Sequence, residues 1–157
     1  MRHGLAFALL LTAASAAHAS FDPVAFFQGR SHGDGRLKVI LQSAKSVRVD
    51  SRGRVEPDGS LLLSQRVDQQ GEAVRTRTWR LTRISPTRFQ GSLTDATGPV
   101  TVDLVGRGAL IRYRMKNNMQ VEQTLTPMGP RVVQNSMRVS RLGVTVAHLD
   151  ETIRKLD

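Results

Sequence analysis

Residues 21–41 read FDPVAFFQGRSHGDGRLKVIL, and two incompatible folds compete for them. The string Gly29-Arg30-Ser31-His32-Gly33 matches the G-x-S-x-G pattern of a nucleophile elbow. Asp95 or Asp103 and then His148 follow in the order that α/β-hydrolases use. An elbow needs a strand, a sharp turn and then a helix, so that the serine stands above a parallel sheet. Here the order is reversed. Asp22 and Pro23 look like the N-cap and first position of a short helix through Val24, Ala25, Phe26, Phe27 and Gln28, and Gly29 stops it. A strand then follows, with Ser31, Gly33, Gly35, Leu37 and Val39 on one face and His32, Asp34 and Arg36 on the other. In that setting the glycines let the strand bend where a sheet curves, or let another group approach closely. The context speaks against a serine hydrolase and for a strand that follows a capping helix.

Outward from this stretch the period stays at two, with turn residues every 8 to 12 positions or so. Val47, Val49 and Val55 alternate with Arg48, Asp50, Arg52, Arg54 and Glu56, and the turn Pro57-Asp58-Gly59-Ser60 leads into Leu61, Leu63, Gln65 and Val67. A strand from Ala73 to Ile84 sets Arg75, Arg77, Trp79 and Leu81 on one face. Turns are expected at Ser85-Pro86-Thr87, Gly98-Pro99, Gly106, Asn117-Asn118 and Pro127 to Pro130. Phe89, Gly91, Leu93 and Asp95 share an inner face, as do Ile111 and Tyr113, then Val121 and Gln123, then Asn135 and Met137. The last clear strand runs from Leu142 to about Leu149, with Ile153 and Leu156 extending it or forming a helical turn. About ten short antiparallel strands have exposed edges that closure removes, so the expected fold is an all-β, up-and-down barrel with a short N-terminal capping helix.

The first residues are read separately. Arg2 and His3 precede the apolar run Leu5 to Leu11, and Ala17-His18-Ala19 forms an A-x-A cleavage site. Residues 1–19 are expected to be an export signal cleaved after Ala19, leaving residues 20–157 as a single periplasmic domain. That run is too short for a permanent span, and no transmembrane segment is expected in the mature chain. The absence of cysteine excludes thiolate catalysis, thiolate zinc sites and iron–sulfur clusters. The formal charge of +10 would suit nucleic acid, but export and the few aromatic side chains argue against that partner. Anionic lipid suits a basic exported protein better, and Arg48, Arg52 and Arg54 on one outer face are the candidate docking residues. His32 and Asp34, two apart, show no third ligand, so neither a metal nor another cofactor is expected.

Polar residues on the inner faces carry the functional expectation: Gln65, Arg77, Asp95, Tyr113, Gln123 and Asn135, beside Trp79, with Arg75 nearer a rim. An inward arginine must find a counter-charge. Either Arg77 pairs with Asp95 in a structural network, or Arg77 and Tyr113 hold the head of an amphipathic ligand whose tail lies along apolar walls.

The opening also resembles lipocalin-like proteins, although the G-x-W motif would fall on Gly29, Arg30 and Ser31, with serine in place of tryptophan. Over nearly the whole mature chain the sequence resembles a family of small proteobacterial envelope proteins known as a domain of unknown function. The shared marks are FDPVAFFQGRSHGDGRLKV (21–39), SRGRVEPDGSL (51–61), Arg77-Thr78-Trp79, GSLTDATGPV (91–100) and LDETIRKL (149–156). Many relatives look like lipoproteins, whereas this chain lacks the lipobox cysteine. The resemblance implies a calycin-like barrel. Neighbouring genes for fatty-acid cyclopropane synthases and flavin oxidoreductases in that family imply a link to membrane-lipid modification. The expected function is therefore an exported barrel binding a lipid or fatty-acyl ligand, with a role in lipid modification or envelope stress. The alternative is a non-enzymatic accessory protein docked on anionic lipid or a protein through its basic face.

Overall fold

The computed structural model describes residues 21–157, so the expected signal at 1–19 lies outside the described residues. One helix, α1 (Pro23–Phe27), is followed by ten strands. They are β1 (Gly29–Val39), β2 (Lys45–Val55), β3 (Leu61–Gln69), β4 (Arg75–Ser85), β5 (Arg88–Leu93), β6 (Ala96–Val105), β7 (Gly108–Met115), β8 (Gln120–Gly129), β9 (Val132–Arg141) and β10 (Val144–Lys155). Each pairs antiparallel with its sequence neighbour, and β1 pairs with β10, so the sheet closes and leaves no edge.

The helix forms for local reasons. Asp22 Oδ1 accepts the Val24 N–H at 2.9 Å, Pro23 occupies the first turn, and Gly29 turns the chain away at φ 87°. Phe26 and Phe27 then close one end of the barrel. Gly53 makes the lid possible, because a Cβ there would come within 1.9 Å of the Phe27 carbonyl oxygen.

Leu61, Phe89, Val100, Val102 and Val133 are fully buried beneath this lid. The turns at the opposite end surround a mouth, lined by the C-terminal half of β1 and the N-terminal half of β10 among others.

Four boundaries differ from the sequence expectation. The chain turns at Thr94-Asp95, and Gly98-Pro99 lie within β6, where the ladder shifts register between Thr97 and Thr101. A proline lacks an N–H to give to a ladder, and a bulge tolerates that gap. Likewise β8 passes Pro127 through a second shift and turns at Pro130-Arg131. Leu142 is a turn residue and not the start of a strand, and β10 continues to Lys155 without a helical turn.

Candidate functional site

The inner-face parity brings most of the expected polar residues together midway along the barrel. Gln65 is the hub: its Oε1 accepts from Trp79 Nε1 and from Arg77 Nε, both at 2.7 Å, and its Nε2 donates to Ser51 Oγ at 3.0 Å. Two donors fix which end of the amide is oxygen. Gln123 Nε2 donates to the Tyr113 hydroxyl at 3.1 Å, and the Trp79 and Tyr113 rings meet edge to face at 5.6 Å. Burial raises the Tyr113 pKa, against the lowering pull of Arg77, so the phenol stays protonated.

Asp95 does not join this layer. Its place in the β5–β6 turn carries it to the mouth, where it accepts from Arg75 at 2.9 Å, so of the two arrangements expected for Arg77 the Arg77–Asp95 pair does not form. Arg77 forms no ion pair among the described residues. Its guanidinium lies 5.5 Å from the Trp79 ring centre, and Gln65 takes its Nε–H.

A buried carboxyl escaped the sequence reading. Glu151 is 5 % exposed on β10, and its Oε2 accepts from Asn135 Nδ2 at 2.9 Å. Burial pushes its pKa above the usual glutamate range, while Asn135 and the charge of Arg77 pull the other way. Gly33 makes room for it: a Cβ at that position would lie 2.0 Å from Glu151 Oε1. The signal was present in the alternation Ala147, Leu149, Glu151, Ile153, which continues past the point where the strand was expected to fade. Asn135 Oδ1 and Ser31 Oγ are buried there without partners.

Above this polar layer lies a cavity of about 250 Å³ that opens towards the mouth. Arg77, Tyr113, Gln123 and Asn135 lie on its lining, and the opposing wall is apolar: Leu37, Val47, Val49, Val67 and Leu149 form a small cluster of their own with Met137. The volume falls just below the roughly 300–1,000 Å³ of typical small-molecule sites. The cavity's size suits a compact small molecule.

The hydrolase geometry is missing. Ser31 points inward at 2 % exposure, whereas His148 is exposed on the outer face of β10, so no nucleophile–base contact can form. The other described histidine, His32, sits outside between Asp50 at 2.6 Å and Asp34 at 3.3 Å; its pKa is raised chiefly by the hydrogen bond to Asp50. No cluster of three such side chains that could hold a metal occurs among the described residues.

Of the outer-face arginines, Arg48 pairs with Asp68 at 3.8 Å and Arg54 with Glu56 at 2.5 Å, while Arg52 forms no ion pair among the described residues. No described helix is long and apolar enough to cross a membrane.

A closed antiparallel barrel with a helical lid, a polar mid-layer and an apolar cavity above it is a calycin-like architecture. The chain belongs to the family DUF3833, described as a protein of unknown function, whose match covers residues 8–155. Among solved structures it is similar to the S-type phycobiliprotein lyase CPES from Guillardia theta, with a TM-score of 0.68 at 8 % identity. That alignment covers 85 % of this chain and 90 % of the lyase. No curated protein matches. At this identity the likeness establishes the shared barrel and nothing about the cavity's contents.

Proposed function

We propose that the protein is an exported, periplasmic binding protein that holds a fatty-acyl or lipid ligand with an acidic head in the barrel cavity. One observation carries this reading. Arg77 faces a cavity with largely apolar walls, with one N–H committed to Gln65 and no carboxylate in ion-pair contact among the described residues; Asp95, on the same lining, is taken by Arg75. A half-buried charge beside apolar walls is costly unless matched, and a ligand carboxylate or phosphate would match it bidentately. Tyr113 adds a hydroxyl donor, and the Val47–Val49–Leu149 wall takes the start of the chain. The phycobiliprotein lyase supports only the idea that a barrel of this kind serves as a working protein chassis. Export rests on the residue pattern at 1–19, and the periplasmic form is expected to begin at Ser20.

The test is displacement of a fluorescent fatty acid from purified residues 20–157 by oleate and by the fatty alcohol of equal length, with extraction of co-purifying lipid for mass spectrometry. Oleate should compete more strongly than the alcohol. Arg77→Leu should weaken the acid by about 10- to 100-fold, the value of a charge-assisted hydrogen bond of roughly 1.5–3 kcal/mol, and should leave the alcohol little changed. Absence of saturable binding and of any extracted amphiphile would overturn the reading.

A further inference from the structure

Left-handed backbone is normally left to glycine, asparagine or aspartate, because a larger side chain crowds the following carbonyl there. Among the described residues, three that are not glycine take positive φ: Asn118 at 62°, Leu41 at 61° and Leu142 at 50°. The asparagine is ordinary in that position. The leucines are not, and both stand almost wholly in solvent, at 98 % and 97 % exposure.

Their positions are related. Leu142 and Gly143 form the two-residue turn between β9 and β10, where both φ values are positive and asparagine-glycine is the favoured pair. Leu41 is third in the turn Val39–Gln42, closed by the Gln42 N–H to the Val39 carbonyl at 3.1 Å, a place that favours glycine or asparagine. Since β1 pairs with β10, the two hairpins are neighbours around the barrel, joined by the Ile40 N–H to the Val146 carbonyl at 2.9 Å. Both tips stand on the rim of the cavity mouth, whose lining includes Val39 and Val146. Ile40 and Val144 beside them are 55 % and 60 % exposed.

The surrounding charge is one-sided. Lys38, Arg141 and Lys116 are exposed at the hairpin ends and form no ion pair among the described residues, and Lys38 Nζ donates to the Gln42 carbonyl within the Leu41 tip. Lys45 and Arg75, also near the mouth, are matched by Glu72 and Asp95. At the lidded end, the exposed apolar residues Val55, Ile84, Val105, Met128 and Leu156 range from 40 % to 68 % exposure, and none has positive φ.

From this arrangement we infer that the mouth docks on the surface of an anionic lipid bilayer, with Leu41 and Leu142 inserted among the acyl chains and Lys38, Lys116 and Arg141 at headgroup level. Apolar tips ringed by cations match the two layers of such a surface, one hydrocarbon and one negatively charged. The docked pose faces the cavity towards the membrane, so a ligand could pass between them without crossing water. The inference deepens the proposed lipid-binding function and rests on it for its purpose, although the geometry of the rim is separate from the cavity.

Co-sedimentation of residues 20–157 with vesicles of equal parts phosphatidylglycerol and phosphatidylcholine tests it. Leu41→Asn and Leu142→Asn should each lower the partition coefficient about tenfold, and the pair more, on the scale of an apolar side chain removed from hydrocarbon. Asparagine suits left-handed backbone, so the thermal midpoint should hold or rise, separating lost docking from lost fold. Arg77→Leu should partition as wild type does, so a failure of the cavity reading is told apart from a failure of docking. Wild-type partition in the double asparagine variant would overturn the inference, as would equal binding to pure phosphatidylcholine. So would a loss seen only in the Arg48→Ser/Arg52→Ser/Arg54→Ser variant, which would assign docking to the outer face. Absence of vesicle binding with a wild-type dimer that the asparagine changes dissociate would assign the rim to a second copy and overturn it too.

Discussion

The two halves of this barrel are built from the same ten strands and behave as different materials. Under the helical lid, Leu61, Phe89, Val100, Val102 and Val133 show no exposed surface. In the mouth half, the same inward positions are filled by Val47, Val49 and Leu149, with Met115, Met119 and Met137 only partly buried. Interiors normally pack to crystal density, and the lidded half is filled by side chains with no exposed surface. Valines are too short to meet across the mouth half, and no helix among the described residues covers it. Unbranched methionines, which fill irregular space loosely, line what remains. The difference teaches that alternation alone builds a barrel, while side-chain volume and a lid decide where it becomes solid.

The comparison can be broken from either side. The largest effect should come from Phe89→Ala, which empties a site with no exposed surface and should cost about 3–5 kcal/mol. Met137→Ala on the cavity wall should cost about 1 kcal/mol or less, since open space adjoins it already. Urea midpoints at unchanged slope measure both. Equal losses would mean that the mouth half is packed as tightly as the other.

A smaller effect, dependent on pH, belongs to the polar layer between the halves. The folded state holds the Glu151 proton more tightly than the unfolded chain does, because burial outweighs Asn135, Arg77 and His32; Asp34 adds to the raise. Its contribution to stability is therefore complete below the ordinary glutamate pKa and is lost as pH rises through the raised value. Glu151→Gln should flatten that decline and be more stable than wild type at neutral pH, as read by denaturation at a series of pH values. A parallel decline in both proteins would show that Glu151 is already ionised and matched.

The smallest change is outside the barrel. His32 has a raised pKa next to Asp50 and Asp34, so its contribution is present below its ordinary pKa of 6.5 and fades as pH rises through the raised one. His32→Gln should cost a few tenths of a kcal/mol in mild acid, the scale of a partly exposed ion pair, and nothing in alkali. A constant cost across pH would point to packing instead of charge.

How much of this could be read in advance varied with the physics behind each residue. Gln65, Arg77, Trp79, Tyr113, Gln123 and Asn135 were legible because side chains on a strand alternate strictly, and these residues lie in uninterrupted runs. Asp95 was misplaced because Gly98-Pro99 has turn composition, yet a bulge absorbed it within β6 and the reversal came earlier. Glu151 was missed because a carboxyl among Asp150, Thr152 and Arg154 looks like a solvated end. Only the pairing of β10 with β1 places it opposite Gly35, with its carboxyl reaching over Gly33 into the space that a side chain there would fill.

By itself the sequence determined the strands, the turns between most of them, the helix and its cap, and which side chains face inward. Those properties depend on φ/ψ preference and on a period of two, both written within a few residues. Tertiary structure alone decided which inward residues meet. The contacts of Gln65 with Arg77 and Trp79, the exclusion of Asp95, the seat of Glu151 and the neighbouring tips of Leu41 and Leu142 all depend on register and closure. Register is set by the whole ring of strands at once, and no local stretch contains it.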